Sequence, residues 1–338
     1  MPSRLLVTGG AGFIGSNFIK YILGSHADTA VVNLDKLTYA GNPDNLREVE
    51  DDPRYTFVRG DICDMDTVLK AAGGCDCIVN FAAETHVDRS IGDPAGFIMT
   101  DVYGTYALLE ATKQLNIPRF IQISTDEVYG DAGGEPSRED SPLMPQSPYA
   151  ASKAGADRLA YSYYVTYGTP VVITRCSNNY GPNQYPEKMV SLFVTNALDD
   201  KPLPVYGTGK NTRDWIHVLD HARALDIVMN AEGIEGEVFN IGTGTELSVL
   251  EMSDLILDAV AKPKSLIRMV EDRPGHVKRH AVNTEKLRSR LGWKPEVDFK
   301  DGMLDTVKWY AENRWWWEKI KSGEFKEYYR KMYAGLNE

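Results

Sequence analysis

Cationic charge is what this chain of 338 residues is short of: 37 Lys and Arg stand against 48 Asp and Glu, a formal net charge of −11. Binding along a nucleic-acid backbone needs a clustered cationic surface, so a nucleic-acid polymer is not expected as a partner. Long apolar runs are missing as well. No stretch approaches the ~18 consecutive apolar residues of a membrane span, and Leu5-Leu6-Val7 runs directly into glycines where a secretory leader would extend its apolar region. These absences predict a cytoplasmic protein without a membrane partner. Cysteine is scarce too. Cys63, Cys75, Cys77 and Cys176 are too few and too irregular for a disulfide framework, and Cys75-Asp76-Cys77 lacks the two-residue spacer of zinc or redox pairs. No metal is expected, and the thiols read as free and buried.

What is present is ordinary globular composition, 43% hydrophobic and 25% charged. At roughly 150 residues per domain the length predicts about two domains. Short Val- and Ile-rich runs at 4–8, 30–34, 55–58, 77–81, 120–124 and 171–175 alternate with amphipathic stretches at 14–24, 64–72, 102–115 and 148–167. That alternation predicts βαβ units and a parallel sheet covered on both faces. After about residue 180, Pro182, Pro186, Pro202 and Pro204 break the rhythm. Helices are expected at 219–230, 251–261, 283–291 and 299–312. The predicted class is α/β, a Rossmann-type doubly wound sheet with a smaller, mostly helical C-terminal substrate domain. Residues 1–180 form the first part, with 210–245 returning to it; 181–209 and 246–338 form the second.

Gly9-Gly10-Ala11-Gly12-Phe13-Ile14-Gly15 follows the first strand and opens the first helix. Glycines at 9, 12 and 15 permit a sharp turn, close approach of a pyrophosphate and tight helix packing, while the helix N-terminus offers free N–H groups. A glycine triplet alone is weak evidence. Asp35, 20 residues after Gly15 at the end of the second strand, adds a carboxylate for the ribose hydroxyls, which favours NAD over NADP despite the adjacent Lys36. Asp61, after the third strand, is expected at the adenine edge.

Ser147-Pro148 reads as a helix start, so Tyr149 and Lys153 share one helical face at i and i+4. A neighbouring ammonium favours the phenolate and makes a tyrosine a usable base.

The glycine turn with Tyr149-x-x-x-Lys153 resembles the extended short-chain dehydrogenase/reductase family, whose members act mainly on nucleotide sugars. The likeness spans almost the whole chain. Ser124-Thr125-Asp126-Glu127-Val128-Tyr129-Gly130, 34–42 and 83–90 are similar to the branch that dehydrates dTDP-glucose. The related 4-epimerases carry small uncharged residues where Asp126 and Glu127 stand, and UDP-glucuronate decarboxylases pair a serine with the glutamate. The resemblance therefore implies an NAD-dependent hydro-lyase that oxidises an NDP-hexose at C4, eliminates water across C5 and C6, and returns hydride to C6. A UDP- or other NDP-sugar is the alternative substrate, a decarboxylase or epimerase the alternative activity.

By the same resemblance Tyr149, Lys153 and Thr125 serve the oxidation, Glu127 takes the C5 proton and Asp126 protonates the leaving hydroxyl. Besides the glycines, Asp35 and Asp61, the implied contacts to a tightly held NAD are Phe13, Ile14, Lys36, Leu37, Thr38, Ile62, Phe81, Ala82, Ala83, Thr100, Tyr149, Lys153 and Asn179. Those to the nucleotide sugar are Thr85, Thr125, Asn178, Lys188, Met189, Pro204, Val205, Tyr206, Arg213, Arg273 and His276. Val249 stands where the family commonly has asparagine, and His280 where it has tyrosine, here expected in the pocket wall. Both bear on which base is accepted. The helices 102–115 and 148–167 correspond to those through which relatives form homodimers. Trp315-Trp316-Trp317 cannot share one helix face and is read as packing.

Overall fold

The computed structural model describes residues 2–333. Its strands are β1 (Arg4–Thr8), β2 (Ala30–Asp35), β3 (Tyr55–Arg59), β4 (Cys77–Asn80), β5 (Phe120–Thr125) and β6 (Val171–Cys176), then β7 (Asn178–Tyr180), β8 (Leu203–Tyr206) and β9 (Thr212–His217), and finally β10 (Val238–Ile241), β11 (Glu246–Ser248), β12 (Ile267–Val270) and β13 (Arg279–His280). The first six and β10 make one parallel sheet in the order β10-β6-β5-β4-β1-β2-β3. Strand order reverses between β1 and β4, and ligands of open α/β sheets bind at the carboxyl ends beside such a switch point.

Alternate residues of one strand face opposite sides of a sheet. Leu5 and Val7 accordingly pack with Phe18 and Ile19 of the Phe13–Ser25 helix and Leu225 of the Val218–Asn230 helix. Leu6 packs the other way, with Leu108, Leu109, Ala160 and Tyr163. The Pro148–Tyr167 helix starts as its sequence dictates, with the Ser147 hydroxyl accepting from the Ala150 N–H at 3.1 Å and Pro148 in the first turn. It ends at Gly168 in the left-handed conformation. The helix expected over 102–115 begins earlier, as a π-helical stretch Ile98–Tyr103 running into Gly104–Gln114.

The second part is mostly helical, as expected, but also holds short strands that the sequence did not predict. A four-stranded sheet joins β7, β9, β11 and β13, and β8 pairs with β12. These strands carry few apolar runs because several of their side chains face a binding cavity. β9 sits in this small sheet, so of the stretch 210–245 it is the Val218–Asn230 helix and β10 that return to the large one. Around them lie the helices Met189–Leu198, Val249–Ala259, Phe299–Glu312, Arg314–Ser322 and Glu324–Met332. Trp316 and Trp317 are each 1% exposed in their core, whereas Trp315 is 47% exposed. The Trp316 indole N–H donates to Asn45 Oδ1 at 2.9 Å and thereby ties the second part to the first.

Among the described residues no helix is long and apolar enough to cross a membrane, and no cluster of three or more His, Cys, Asp or Glu could hold a metal. Cys75, Cys77 and Cys176 are buried free thiols; Cys63, expected to be buried too, is only partly so.

Candidate active site

A cavity of about 430 Å³ opens at the carboxyl ends of β1, β4 and β5 and runs between the two parts. One end is built from the glycine turn. Gly9 has φ +66°, and a Cβ there would lie 2.7 Å from the Ala82 backbone, so only glycine lets the turn pass the end of β4. Gly12 caps the first helix with no side chain bonded to its N–H groups and no acid in its first turn, leaving those donors for an anion. Gly9, Gly12, Phe13, Ile14 and Gly15 all line the cavity here.

Asp35 is 8% exposed, and its two oxygens accept from the N–H groups of Ala11 (2.9 Å) and Leu37 (2.8 Å). It braces the glycine turn while still facing the cavity. Leu37, with φ 57°, contributes that N–H and does not reach the cavity wall. Asp61, expected to meet an adenine, holds Lys36 at 2.6 Å and accepts from the Cys63 N–H at 2.9 Å. Both members of that pair line the cavity, so the lysine is neutralised and a 2′-phosphate would meet two carboxylates. Thr38, Ile62, Phe81, Ala82, Ala83 and Thr100 complete this end. An uncapped helix terminus beside a recessed carboxylate suits the pyrophosphate and ribose of a dinucleotide.

The middle of the cavity holds the acids. β5 ends in Thr125, whose hydroxyl accepts from the Glu127 N–H at 3.3 Å and so caps the 3₁₀ turn Asp126–Tyr129. Gly130, at φ +76°, closes the turn, because a Cβ there would lie 2.3 Å from the Met144 carbonyl. The same Thr125 hydroxyl donates to Asp126 Oδ1 at 3.2 Å. Asp126 is 3% exposed, and its Oδ2 has no hydrogen-bond partner among the described residues. Burial first, then the Glu127 and Asp214 carboxylates, push Asp126 well above the usual carboxylate range, against the pull of Arg213. Asp214 behind it is itself pushed up to about 6 by burial.

Lys153 is 5% exposed and donates to the Ile123 carbonyl at 2.7 Å; burial lowers its pKa, while Asp101 and Asp157 pull it back up. The sequence predicts that this ammonium draws the phenol down. In the structure Tyr149 is pushed well above 10, because burial and the carboxylates Glu127, Asp101 and Asp126 all disfavour a phenolate. Cationic charge additional to Lys153 is needed to poise it.

Toward the other end, Lys188 donates to the Thr85 hydroxyl at 2.8 Å, and burial lowers its pKa. Arg213 is 8% exposed, fixed by the carbonyls of Thr212 (2.7 Å) and Val277 (3.1 Å). Arg273 reaches Asp88 at 3.1 Å and lies over the Tyr206 ring, with its Nε unpartnered among the described residues. His276 leans on Tyr206 and bonds Asp272 at 2.6 Å. Asn178, Met189, Pro204 and Val249 also line the wall, and Asn179 Oδ1 accepts from His221 Nδ1 at 3.0 Å. Two residues expected in this wall lie outside it. Val205 is fully buried in the core, since strand alternation turns it away from the side that Pro204 and Tyr206 present. His280 is buried behind the wall, paired through β13 with Arg213.

Sequence reasoning missed other residues. Asp101, 2% exposed in the π-helical stretch, accepts from the Glu84 N–H (2.9 Å) and the Ser152 hydroxyl (2.6 Å). Glu187, 4% exposed, accepts from the Tyr39 hydroxyl (2.8 Å) and Arg89 Nε (2.9 Å), and the guanidinium lies over the rings of Tyr39 and Tyr328. The only signal for Glu187 was its place directly before Lys188.

The fold and the sequence both have relatives. A family model described as GDP-mannose 4,6 dehydratase matches residues 6–306. A dTDP-glucose 4,6-dehydratase of Streptomyces niveus is 52% identical over 324 residues, which cover 94% of this chain and 96% of the relative. The crystal structure of DesIV, a dTDP-glucose 4,6-dehydratase from Streptomyces venezuelae, with NAD bound, is similar at a TM-score of 0.92 and 49% identity, covering 94% of this chain and 100% of that one. A UDP-glucose 4-epimerase from Thermus thermophilus in complex with NAD reaches a TM-score of 0.85 at 31% identity, over 92% and 99% of the two chains. Dehydratase and epimerase thus share the scaffold, and identity separates them. The chain belongs to the GDP-mannose 4,6-dehydratase family of the extended short-chain dehydrogenases/reductases and stands within it among the dTDP-glucose 4,6-dehydratases.

Proposed function

We propose that this enzyme dehydrates a nucleoside-diphosphate hexose, dTDP-glucose foremost, to the 4-keto-6-deoxy sugar with NAD as a resident cofactor. One observation carries the reading. Asp126, a carboxyl that burial favours in its neutral form, shares a cavity with Glu127 and with the Tyr149–Lys153 pair. Redox at C4 alone needs only the pair, whereas water elimination also needs an acid and a base.

NAD, held by the glycine turn and Asp35, would supply a two-electron acceptor for the oxidation at C4 and the hydride for the reduction at C6. Tyr149 takes the C4 hydroxyl proton, oriented by Thr125 and supported by Lys153. The 4-ketone acidifies C5, and Glu127 removes that proton. Asp126 protonates the C6 hydroxyl as it departs, its free Oδ2 being the oxygen available for the task. Arg213 and Arg273 offer forked donors for the diphosphate, and Lys188 a point charge beside it. Tyr206 and Val249 line the base end.

The enzyme is proposed to act in the cytoplasm, where its free thiols stay reduced, and as a homodimer. The dimer is supported by exposed apolar residues along the first predicted dimer helix and the stretch before it (Ile98, Met99, Tyr103, Tyr106) and along the second (Tyr161, Val165, Tyr167). A clustered apolar surface of this kind is characteristic of an interface.

Incubation with dTDP-, UDP-, GDP- and CDP-glucose, followed by assay for 4-keto product, tests the reading. Tyr149→Phe should lower the rate on the order of 10²- to 10⁴-fold, while Glu127→Gln should leave C4 oxidation visible and block water loss. A Glu127→Gln enzyme that still released 4-keto-6-deoxy sugar at near the wild-type rate would refute the assignment.

A further inference from the structure

A hydride taken at C4 has to be given back at C6, so a cofactor that left between the two steps would strand the reaction at the 4-ketone. Part of what keeps a dinucleotide in place lies behind the cavity wall. The loop 36–42 leaves β2 and turns tightly, its Gly41 N–H donating to the Thr38 carbonyl at 3.0 Å. It then returns against the glycine turn, where the Asn42 N–H donates to the Ala11 carbonyl at 2.9 Å. Lys36, Thr38, Ala40 and Gly41 of this loop line the cofactor end of the cavity. Tyr39, between them, lies outside the lining and reaches to the second part instead.

Its hydroxyl donates to Glu187 Oε1 at 2.8 Å and lies 3.0 Å from the Thr85 carbonyl, while its ring meets Tyr185 edge-on at 5.4 Å. Glu187 is buried, and a buried carboxylate needs a counter-charge. Arg89, from the helix Val87–Gly92, supplies it through Nε, which donates to Glu187 Oε2 at 2.9 Å. The guanidinium also lies over the rings of Tyr39 and Tyr328, 3.7 Å and 4.3 Å from their centroids, which draws in the Glu324–Met332 helix. Two segments of the first part, carrying Tyr39 and Arg89, thus close on the two oxygens of one carboxylate of the second. We propose that Tyr39, Glu187 and Arg89 form a latch that holds the loop 36–42 over the cofactor and sets how long NAD stays bound. The inference rests on the reading of NAD as a resident cofactor. Moving the loop off the cavity breaks a hydrogen bond to a buried charge, about twice as strong as one between neutral groups.

The test is the rate at which radiolabelled NAD leaves the holoenzyme against an excess of unlabelled NAD. Tyr39→Phe removes the hydroxyl and keeps the ring beneath the guanidinium, so the fold should stand with a Tm close to that of wild type. Loss of one hydrogen bond to a charged acceptor should speed NAD release about 10- to 100-fold. With NAD and nucleotide sugar both saturating, kcat should stay within about two-fold of wild type, because Tyr39 does not face the cavity. Glu187→Gln should also speed release, and the two substitutions combined should fall short of the product of their single effects, because both act on one bond. The latch is overturned if Tyr39→Phe releases NAD at the wild-type rate, whatever its Tm or kcat, or if the two effects multiply in full. Should Glu187→Gln fail to fold, the Tyr39→Phe rate alone decides. Wild-type protein that neither retains nor takes up NAD overturns the resident-cofactor reading, whereas wild type and Tyr39→Phe that hold NAD equally long overturn the latch alone.

Discussion

Arg175 lies beneath the site and offers a quantitative handle on how the site is held. It is 1% exposed, and it grips Asp157 of the Pro148–Tyr167 helix through Nε (2.8 Å) and a terminal nitrogen (3.0 Å). Its other terminal nitrogen donates to the Tyr129 hydroxyl at 2.7 Å and the Glu139 carbonyl at 3.1 Å. Arg175→Met strands the fully buried Asp157 carboxylate. Breaking a buried pair from one side costs about 3–5 kcal/mol, and because Arg158 Nε still reaches Asp157 at 2.8 Å, the lower end, about 3 kcal/mol, is expected. At roughly 2–4 °C per kcal/mol that is a fall in Tm of about 6–12 °C. Adding Asp157→Leu removes both charges and should recover most of the loss, to within about 1–2 kcal/mol of wild type. Tyr129 then keeps its bond to Asn240 Oδ1 at 2.8 Å, so the catalytic turn retains one anchor. Thermal unfolding followed by circular dichroism measures all three proteins. A single variant within about 1 kcal/mol of wild type, or a double variant no better than the single, refutes the claim that this pair is a desolvated unit.

Gly9→Ala should fold poorly around the cofactor end, since it demands φ +66° of an alanine and places a methyl 2.7 Å from the Ala82 backbone; the loss should register as NAD that washes out on gel filtration. Asp126→Asn, which cannot supply the leaving-group proton, should lower kcat on the order of 10²-fold or more while leaving the KM for the nucleotide sugar within a few-fold. Burial lowers Lys321 to about 7, so between about pH 7 and its ordinary value the unfolded chain binds the extra proton and stability rises with pH. Lys321→Met lacks that slope: relative to wild type it should be most stable below pH 7 and lose the advantage on the alkaline side, and a Tm difference that does not move with pH contradicts the buried-amine assignment.

The large sheet was legible because strands buried on both faces are mostly apolar, and the runs Cys77-Ile78-Val79 and Val171-Val172-Ile173 are so. The Pro148–Tyr167 helix could be read to the residue from its Ser-Pro start and glycine stop. The small sheets were not. β7 is Asn-Asn-Tyr, β9 carries Arg213 and Asp214, and β8 contains Pro204, polar or irregular residues buried for the sake of the cavity. The Met189–Leu198 helix escaped because it is buried almost all round and shows no polar face. In the site, motif spacing located Tyr149, Lys153 and the two acids, yet Val205 shows that a motif does not reveal which side of a strand a residue faces. The phenol's environment was equally hidden, because Asp101 approaches from a π-helical stretch with no sequence signature.

The central claim is that one site oxidises C4, eliminates water and reduces C6 without releasing its cofactor. Offering dTDP-glucose deuterated at C4 and locating the label in the product tests it most directly. The account predicts a 4-keto-6-deoxy sugar with the deuterium at C6. Deuterium retained at C4 of a hexose, or lost to solvent, contradicts it.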